Sequence, residues 1–478
     1  MTKLGKILSF AICLNFGCSE QSMHYQVKNV PSELNIALQN LDHVKSIQEV
    51  ETKFPLYRQF EIQFEQPIDH TQPTSGKFLQ RIVLLHRDES APMVLQTSGY
   101  AIFGIKLSSV TKLFGTNQLQ VEHRYFAAST PPGDDKTFLN IEQSAADFHA
   151  ITQSFKKLYA KKWVNTGASK GGMTSVFHRR FYPEDLDGTL ALVAPLSFSE
   201  FDERYIDFVS NVGGEEYAVC RQKLLNAQKF LLNHRSNVLP TLTGTYAVLK
   251  SKEIAFEHAV IELAYTFWQY STPSDVTCSN VPSDENSVLP YIHFLAKTNA
   301  VESSYEDKGL GKFMSYYYQA ATQLGGPGAD IVSIEKELHF ANTYKLESYV
   351  PPSQWIGFDS APMIDMDQWV RKAPGLMFIY GAFDPWSAGA FSADVSGGES
   401  FKFFQPKGNH GSDLSGLGPS DYKKAVERLS VWLGVKAAEV NPMDNLNADI
   451  SLEQLEFQVL KTRRWKFDSS EIKGMIKE

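Results

Sequence analysis

The chain has 478 residues, 43% of them hydrophobic, which excludes a disordered or collagen-like chain and leaves room for about three domains or one decorated α/β domain. Its 46 Lys and Arg against 54 Asp and Glu give a net charge of −8, so no basic excess exists to neutralise phosphates, and nucleic acid is not an expected partner. Four cysteines without a C-x-x-C pair argue against a zinc ribbon or a thioredoxin-type dithiol.

In chain order, Lys3 and Lys6 precede a short apolar stretch, Ile7 to Phe16, too short to span a bilayer as a mature helix. Gly17-Cys18 follows and resembles a bacterial lipoprotein cleavage site, so residues 1–18 read as an export segment with Cys18 as the acylation site. A plain secretory signal is the alternative. The expected location is periplasmic, cell-surface or secreted, with a membrane approached only through that lipid.

Alternation of Phe60, Ile62 and Phe64 with polar neighbours predicts a half-buried strand over Tyr57 to Glu65. Further strands are expected at Phe78 to His86, Met93 to Thr97, Gln118 to Glu122, Trp163 to Thr166 and Thr189 to Ala194. Leu139 to Tyr159 carries a helical apolar stripe. Helices at Glu216 to Leu232, Lys252 to Tyr270 and Phe313 to Leu324 then follow without strands. Strand patterns resume at Leu376 to Tyr380 and Phe401 to Phe404, ahead of a helix over Ser420 to Leu433. Strands separated by helical patterns predict an α/β domain with a mostly parallel sheet, in two parts, 54–195 and 374–434. A large helical cap, 196–373, is inserted after the sixth core strand region, and a charged tail, 435–478, has no assigned role.

Gly167-Ala168-Ser169-Lys170-Gly171 matches G-x-S-x-G, a turn that exposes a serine hydroxyl between a strand and a helix. The strand pattern before it and the helical pattern of Met173 to Phe181 after it supply that context. Serine needs a base, and the base an orienting carboxylate, in the chain order Ser, acid, His. Asp384 stands just past a late strand and His410 on a glycine-flanked loop past the next; Asp394 and Asp413 are the rival acids. The other histidines, His86, His123, His149 and His178 among them, read as structural. An oxyanion would take the Lys170 N–H and a second donor from the Gly99-Tyr100 loop. No metal motif and no nucleotide-binding loop is present, so no metal and no cofactor is expected.

These residues, with Phe64-Glu65-Gln66-Pro67-Ile68-Asp69-His70 and Val121-Glu122-His123-Arg124-Tyr125-Phe126, resemble the secreted bacterial tripeptidyl-aminopeptidase family of serine peptidases. More distantly the chain is similar to the lysosomal Pro-X carboxypeptidase and dipeptidyl-peptidase family. The resemblance covers about Phe54 to Leu433 and implies an α/β-hydrolase core, a helical cap, a Ser169–Asp384–His410 triad, and peptide substrates unblocked at the amino end. The expected function is an exported serine peptidase that releases tripeptides or similar short units. An esterase or lipase with the same triad, and a surface lipoprotein that binds without catalysis, are the alternatives. A free α-amine calls for carboxylates in its pocket. Glu122, Glu142, Asp202 and Glu203 are the expected acids, with Trp268 and Trp386 as apolar walls. With Cys13 removed and Cys18 acylated, Cys220 and Cys278 remain and are expected to pair in an oxidising compartment.

Overall fold

The computed structural model describes residues 32–271 and 278–438. Its strands are β1 (Val44–Val50), β2 (Arg58–Pro67), β3 (Lys77–His86), β4 (Met93–Thr97), β5 (Asn117–Val121), β6 (Trp163–Ala168), β7 (Gly188–Leu192), β8 (Leu376–Gly381) and β9 (Phe401–Gln405). They form one sheet in the order β1-β2-β3-β5-β4-β6-β7-β8-β9. Pairing is antiparallel from β1 through β3 to β5 and parallel from β5 to β9.

The burial of each strand follows from what covers it. On β2, Phe60, Ile62 and Phe64 are buried against Phe148, Ile151 and Phe155 of the helix Ile141–Phe155, while alternate residues stay partly accessible. Strands β4, β5 and β8 are buried along their whole length, as expected where helices cover both faces of a parallel sheet. One face meets the helices Ile141–Phe155 and Lys170–Phe181; the other meets Leu429 and Trp432 of the helix Pro419–Leu433. This is an α/β-hydrolase core.

Strand β1 was not expected from the sequence. It is an outer strand in which only Val44 is buried, so no apolar alternation marks it. The cap follows the strand after which it was expected, Gly188–Leu192, which is the seventh once β1 is counted. The described residues of 193–375 add no strand to the sheet; their helices enclose a separate apolar cluster that includes Leu224, Leu231, Phe256, Val260, Phe267 and Trp268. A disulfide joins Cys220 and Cys278 within this region, with Cα atoms 5.5 Å apart. The pattern over Lys252 to Tyr270 forms two helices, Lys252–Ile261 and Leu263–Tyr270, that meet at Glu262.

Cys18, the segment 1–18 and most of the tail lie outside the described residues. Among the described residues no helix is long and apolar enough to cross a membrane.

Candidate active site

The chain runs from β4 to β5 on one side, then returns to β6 on the other side of β4. The carboxyl ends of β4 and β6 therefore flank the point where strand order reverses, the usual crevice for ligands in such sheets. Ser169 follows β6 there, and Gly99 follows β4.

Ser169 has φ 53° and ψ −126°, a conformation that L-residues rarely adopt. Its backbone N–H donates to the Leu192 carbonyl at 2.9 Å. The flanking glycines are required by close approach: a Cβ on Gly167 would lie 2.4 Å from the Gly171 carbonyl oxygen, and one on Gly171 would lie 2.7 Å from the Thr97 carbonyl oxygen. Lys170 opens the helix after the turn, so its N–H has no acceptor one turn earlier in that helix.

The loop after β4 packs on this turn. A Cβ on Gly99 would lie 2.6 Å from both the Gly171 nitrogen and the Lys170 Cβ. The Lys170 side chain is buried and donates through Nζ to the Gly99 carbonyl at 2.9 Å, with its ammonium end over the rings of Tyr100 and Phe126. Burial holds the Lys170 pKa well below its ordinary value. The Tyr100 N–H donates to Ser98 Oγ at 3.1 Å, a long bond beside which a developing oxyanion would be the stronger acceptor. This role of the Lys170 side chain was not anticipated from the sequence, which marked only its backbone.

Asp384 caps the short helix Pro385–Gly389 and accepts the Trp386 N–H at 3.1 Å through Oδ1. Its Oδ2 lies 2.7 Å from His410 Nδ1, with both side chains buried. The two loops are held together: Phe383 N–H donates to the Gly408 carbonyl at 2.8 Å. The histidine loop also reaches the cap, because His410 N–H donates to the Gln269 carbonyl at 2.9 Å and Asn409 Nδ2 donates to the Ser271 carbonyl at 2.8 Å. Neither rival acid takes the position of Asp384: Asp413 accepts from Ser109 Oγ and the Leu414 N–H, and exposed Asp394 accepts from the Ser396 N–H.

A small cavity of about 30 Å³ borders Ser169, lined also by Tyr100, Met173, Ser197, Tyr316 and Trp386. The Trp386 ring centroid is 5.9 Å from that of His410, so Trp386 adjoins both Ser169 and His410. A larger cavity of about 330 Å³ lies in the cap, bounded by Tyr205, Tyr265 and Trp268 among others. Tyr205 and Tyr265 stand between the two spaces, with their rings 5.8 and 5.5 Å from Trp386.

Most of the expected substrate-binding residues are not gathered at Ser169. Glu122 is buried and accepts from the Ile102 N–H, the Ser129 N–H and Ser129 Oγ, which ties two loops together. Asp202 is held by the Arg204 guanidinium and the Phe198 N–H. Glu142 and Glu203 face solvent. Trp268 packs between Tyr217 and Phe383 in the cap cluster. Trp386 alone of the six lines the Ser169 cavity. Tyr316 and Gln269 were not singled out from the sequence: one sits in a run of three tyrosines and the other in a continuous helical pattern, and neither carries a local signal.

His178 and His149 are structural, as both bond Asp185 at 2.8 Å and link two core helices to the turn before β7. His123 Nδ1 bonds the Arg124 carbonyl at 2.8 Å.

The chain is 36% identical over 391 residues to the prolyl tri/tetrapeptidyl aminopeptidase of Streptomyces mobaraensis, covering 79% of this chain and 81% of that one. It is 23% identical over 380 residues to the lysosomal Pro-X carboxypeptidase of Homo sapiens, covering 68% and 73% of the two chains. The model of the PS-10 peptidase S37 family matches residues 34–459. The chain is thus a serine peptidase and belongs to the peptidase S37 family.

Proposed function

We propose that Ser169, His410 and Asp384 form the catalytic triad of an exported peptidase that releases tripeptides or similar short units from free amino termini. The observation that carries the triad is the buried 2.7 Å contact between His410 Nδ1 and Asp384 Oδ2, on loops that adjoin the strained Ser169 turn through Trp386. Asp384 fixes the imidazole so that Nε2 faces the serine side and steadies the imidazolium that forms. His410 takes the Ser169 proton as Oγ attacks the scissile carbonyl, and the tetrahedral oxyanion draws on the Lys170 N–H and the Gly99-Tyr100 loop. The amine leaves with the proton returned by His410, and water then releases the acyl peptide from Ser169.

Amino-terminal specificity is supported by the Streptomyces mobaraensis relative, named a prolyl tri/tetrapeptidyl aminopeptidase. Export is supported by the Lys3 to Cys18 sequence and by the Cys220–Cys278 disulfide, a bond that persists in oxidising compartments. The test is labelling by a fluorophosphonate probe, together with hydrolysis of peptides bearing free or acetylated amino termini. Ser169→Ala should abolish both labelling and hydrolysis. Labelling that survives Ser169→Ala would overturn the nucleophile assignment.

A further inference from the structure

The acids expected to meet a substrate amine are either committed to other partners or turned to solvent, yet the cap holds a carboxylate that no cation among the described residues neutralises. Glu262 sits at the junction of the helices Lys252–Ile261 and Leu263–Tyr270. Its Oε2 accepts from the Tyr305 hydroxyl and its Oε1 from the Tyr344 hydroxyl at 3.0 Å. Asn299 Nδ2 donates to the Tyr305 oxygen at 2.8 Å, which orients that phenol toward the carboxylate. No Lys, Arg or His among the described residues pairs with Glu262. Glu257, five residues earlier, shows the contrast: it is bonded by the Arg235 guanidinium and by the N–H groups of His339 and Phe340.

A carboxylate offers about four acceptor sites, and the two phenols fill two. Glu262 keeps partial solvent access although tyrosines surround it, so acceptor sites remain on the carboxylate. Burial raises its pKa, and the two phenol bonds oppose that rise. A carboxylate of this kind is neutralised either by a proton or by a cation, and an ammonium brought by a ligand supplies both charge and donors.

Two aromatic walls run from Glu262 toward the reaction centre. Tyr265 lies one turn beyond Glu262 on the same side of the helix and packs 5.5 Å from Trp386, which lines the Ser169 cavity. On the other wall, Tyr316 lines that cavity and stands 5.4 Å from Tyr317, which stacks on Tyr349 at 4.5 Å beside Glu262. The helix Leu263–Tyr270 also supplies a ruler. Gln269, near its end, holds the His410 N–H. At about 1.5 Å rise per residue, Glu262 and Gln269 are about 10 Å apart along the axis. Three extended peptide residues span about 10 Å.

We propose that Glu262, presented by Tyr305 and Tyr344, binds the α-ammonium group of the peptide and sets the cleaved bond about three residues away. This rests on the assignment of Ser169 and His410 as the reaction centre and names the substrate anchor of that same centre. The carboxylate selects a free amine, since an acetylated terminus brings neither the charge nor the donors. The span from Glu262 to Ser169 selects the length of the released unit.

The test uses the full chain, a tripeptidyl anilide with a free amino terminus, and its acetylated counterpart. Glu262→Gln should lower kcat/KM on the free peptide by roughly 10²-fold, the usual cost of removing one member of a desolvated charge pair. Its rate on the acetylated peptide should be unchanged, so the preference for a free amine collapses. Fluorophosphonate labelling of Ser169 should proceed at the wild-type rate, which shows that the reaction centre is intact. Tyr344→Phe, which keeps the charge and removes one orienting donor, should lower the free-peptide rate less and spare labelling; it carries the test if Glu262→Gln does not fold. Glu142→Gln and Glu203→Gln should change nothing. A Glu262→Gln enzyme that labels normally and still prefers free amines would overturn the anchor alone. Loss of neither labelling nor hydrolysis in Ser169→Ala would overturn the reading on which it rests.

Discussion

The contact between Gly99 and the nucleophile turn sets a sharp expectation for Gly99→Ala. The added Cβ would stand 2.6 Å from the Gly171 nitrogen and the Lys170 Cβ and 2.7 Å from the Lys170 carbonyl carbon, where ordinary contact begins at 3.4 Å. Two of these three atoms are backbone of the turn that carries Ser169, so no flexible side-chain end can swing away. The loop must retreat by about 0.8 Å, and a displacement of that order costs roughly 10²-fold in rate when it falls on positioned catalytic groups. Loss of one oxyanion donor costs roughly 10² to 10³ in kcat. Gly99→Ala should therefore lower kcat by roughly 10² to 10³ with little change in KM, since the oxyanion forms only after substrate is bound. Steady-state hydrolysis of a chromogenic peptide reads both constants, and circular dichroism verifies the fold. Gly104→Ala is the control on the same loop, because a Cβ there meets nothing within 4 Å. A Gly99→Ala enzyme within about threefold of wild-type kcat would refute the claim that this loop sets transition-state geometry.

Three further outcomes are expected. Ser169→Ala, His410→Ala and Asp384→Asn should each lose about 10⁴-fold or more in kcat while unfolding at the wild-type temperature, whereas Asp413→Asn should retain activity; the reverse for the two aspartates would reassign the acid. Replacing Cys220 and Cys278 together by serine releases a loop of 58 residues in sequence separation, which the chain-entropy relation values at about 4 kcal/mol; denaturant unfolding should show a loss of that order, and an unchanged midpoint would refute it. His258, bonded to the Tyr349 hydroxyl and Thr343 Oγ1, has its pKa lowered by burial to about 3. A depressed folded pKa means that its stabilisation is complete above about 6.5 and is lost as pH falls toward 3, on the order of 5 kcal/mol in all. Melting curves of wild type and His258→Gln should converge as pH falls from 7 to 4, and parallel curves would refute the buried neutral state.

What the sequence made legible is what short stretches of chain determine. The turn at Ser169 is local: a buried strand, two glycines forced by close approach, and a helix. Asp384 and His410 are nearly as local, because each sits just beyond the end of a parallel strand. Strand β1 was missed because an outer strand with a single buried side chain has no periodic signature. The charged residues were misplaced for a different reason. Carboxylates advertise charge in a sequence but not their partners. Asp202 is neutralised by Arg204 two residues on, while the groups that hold Glu122 come from two separate loops. Glu262 was passed over because it interrupts no pattern; only the arrival of Tyr305 and Tyr344 from later in the chain makes it an enclosed anion.

That dependence has a mechanical consequence. The helix Leu263–Tyr270 begins next to the carboxylate assigned to the amine and ends at the carbonyl that holds the His410 backbone. A rigid helix fixes the distance between its own ends, so the anchor and the base are set by one element rather than by two domains that must agree. Tyr265 and Trp386 continue the same arrangement, with one ring on the helix and the other on the turn that Asp384 caps. A displacement of this helix would move the amine site and the histidine loop together. Changes of residue that shift the helix as a unit should therefore alter the rate more than the length of the released peptide. Changes at Glu262 itself should alter which amino termini are accepted while leaving His410 in place.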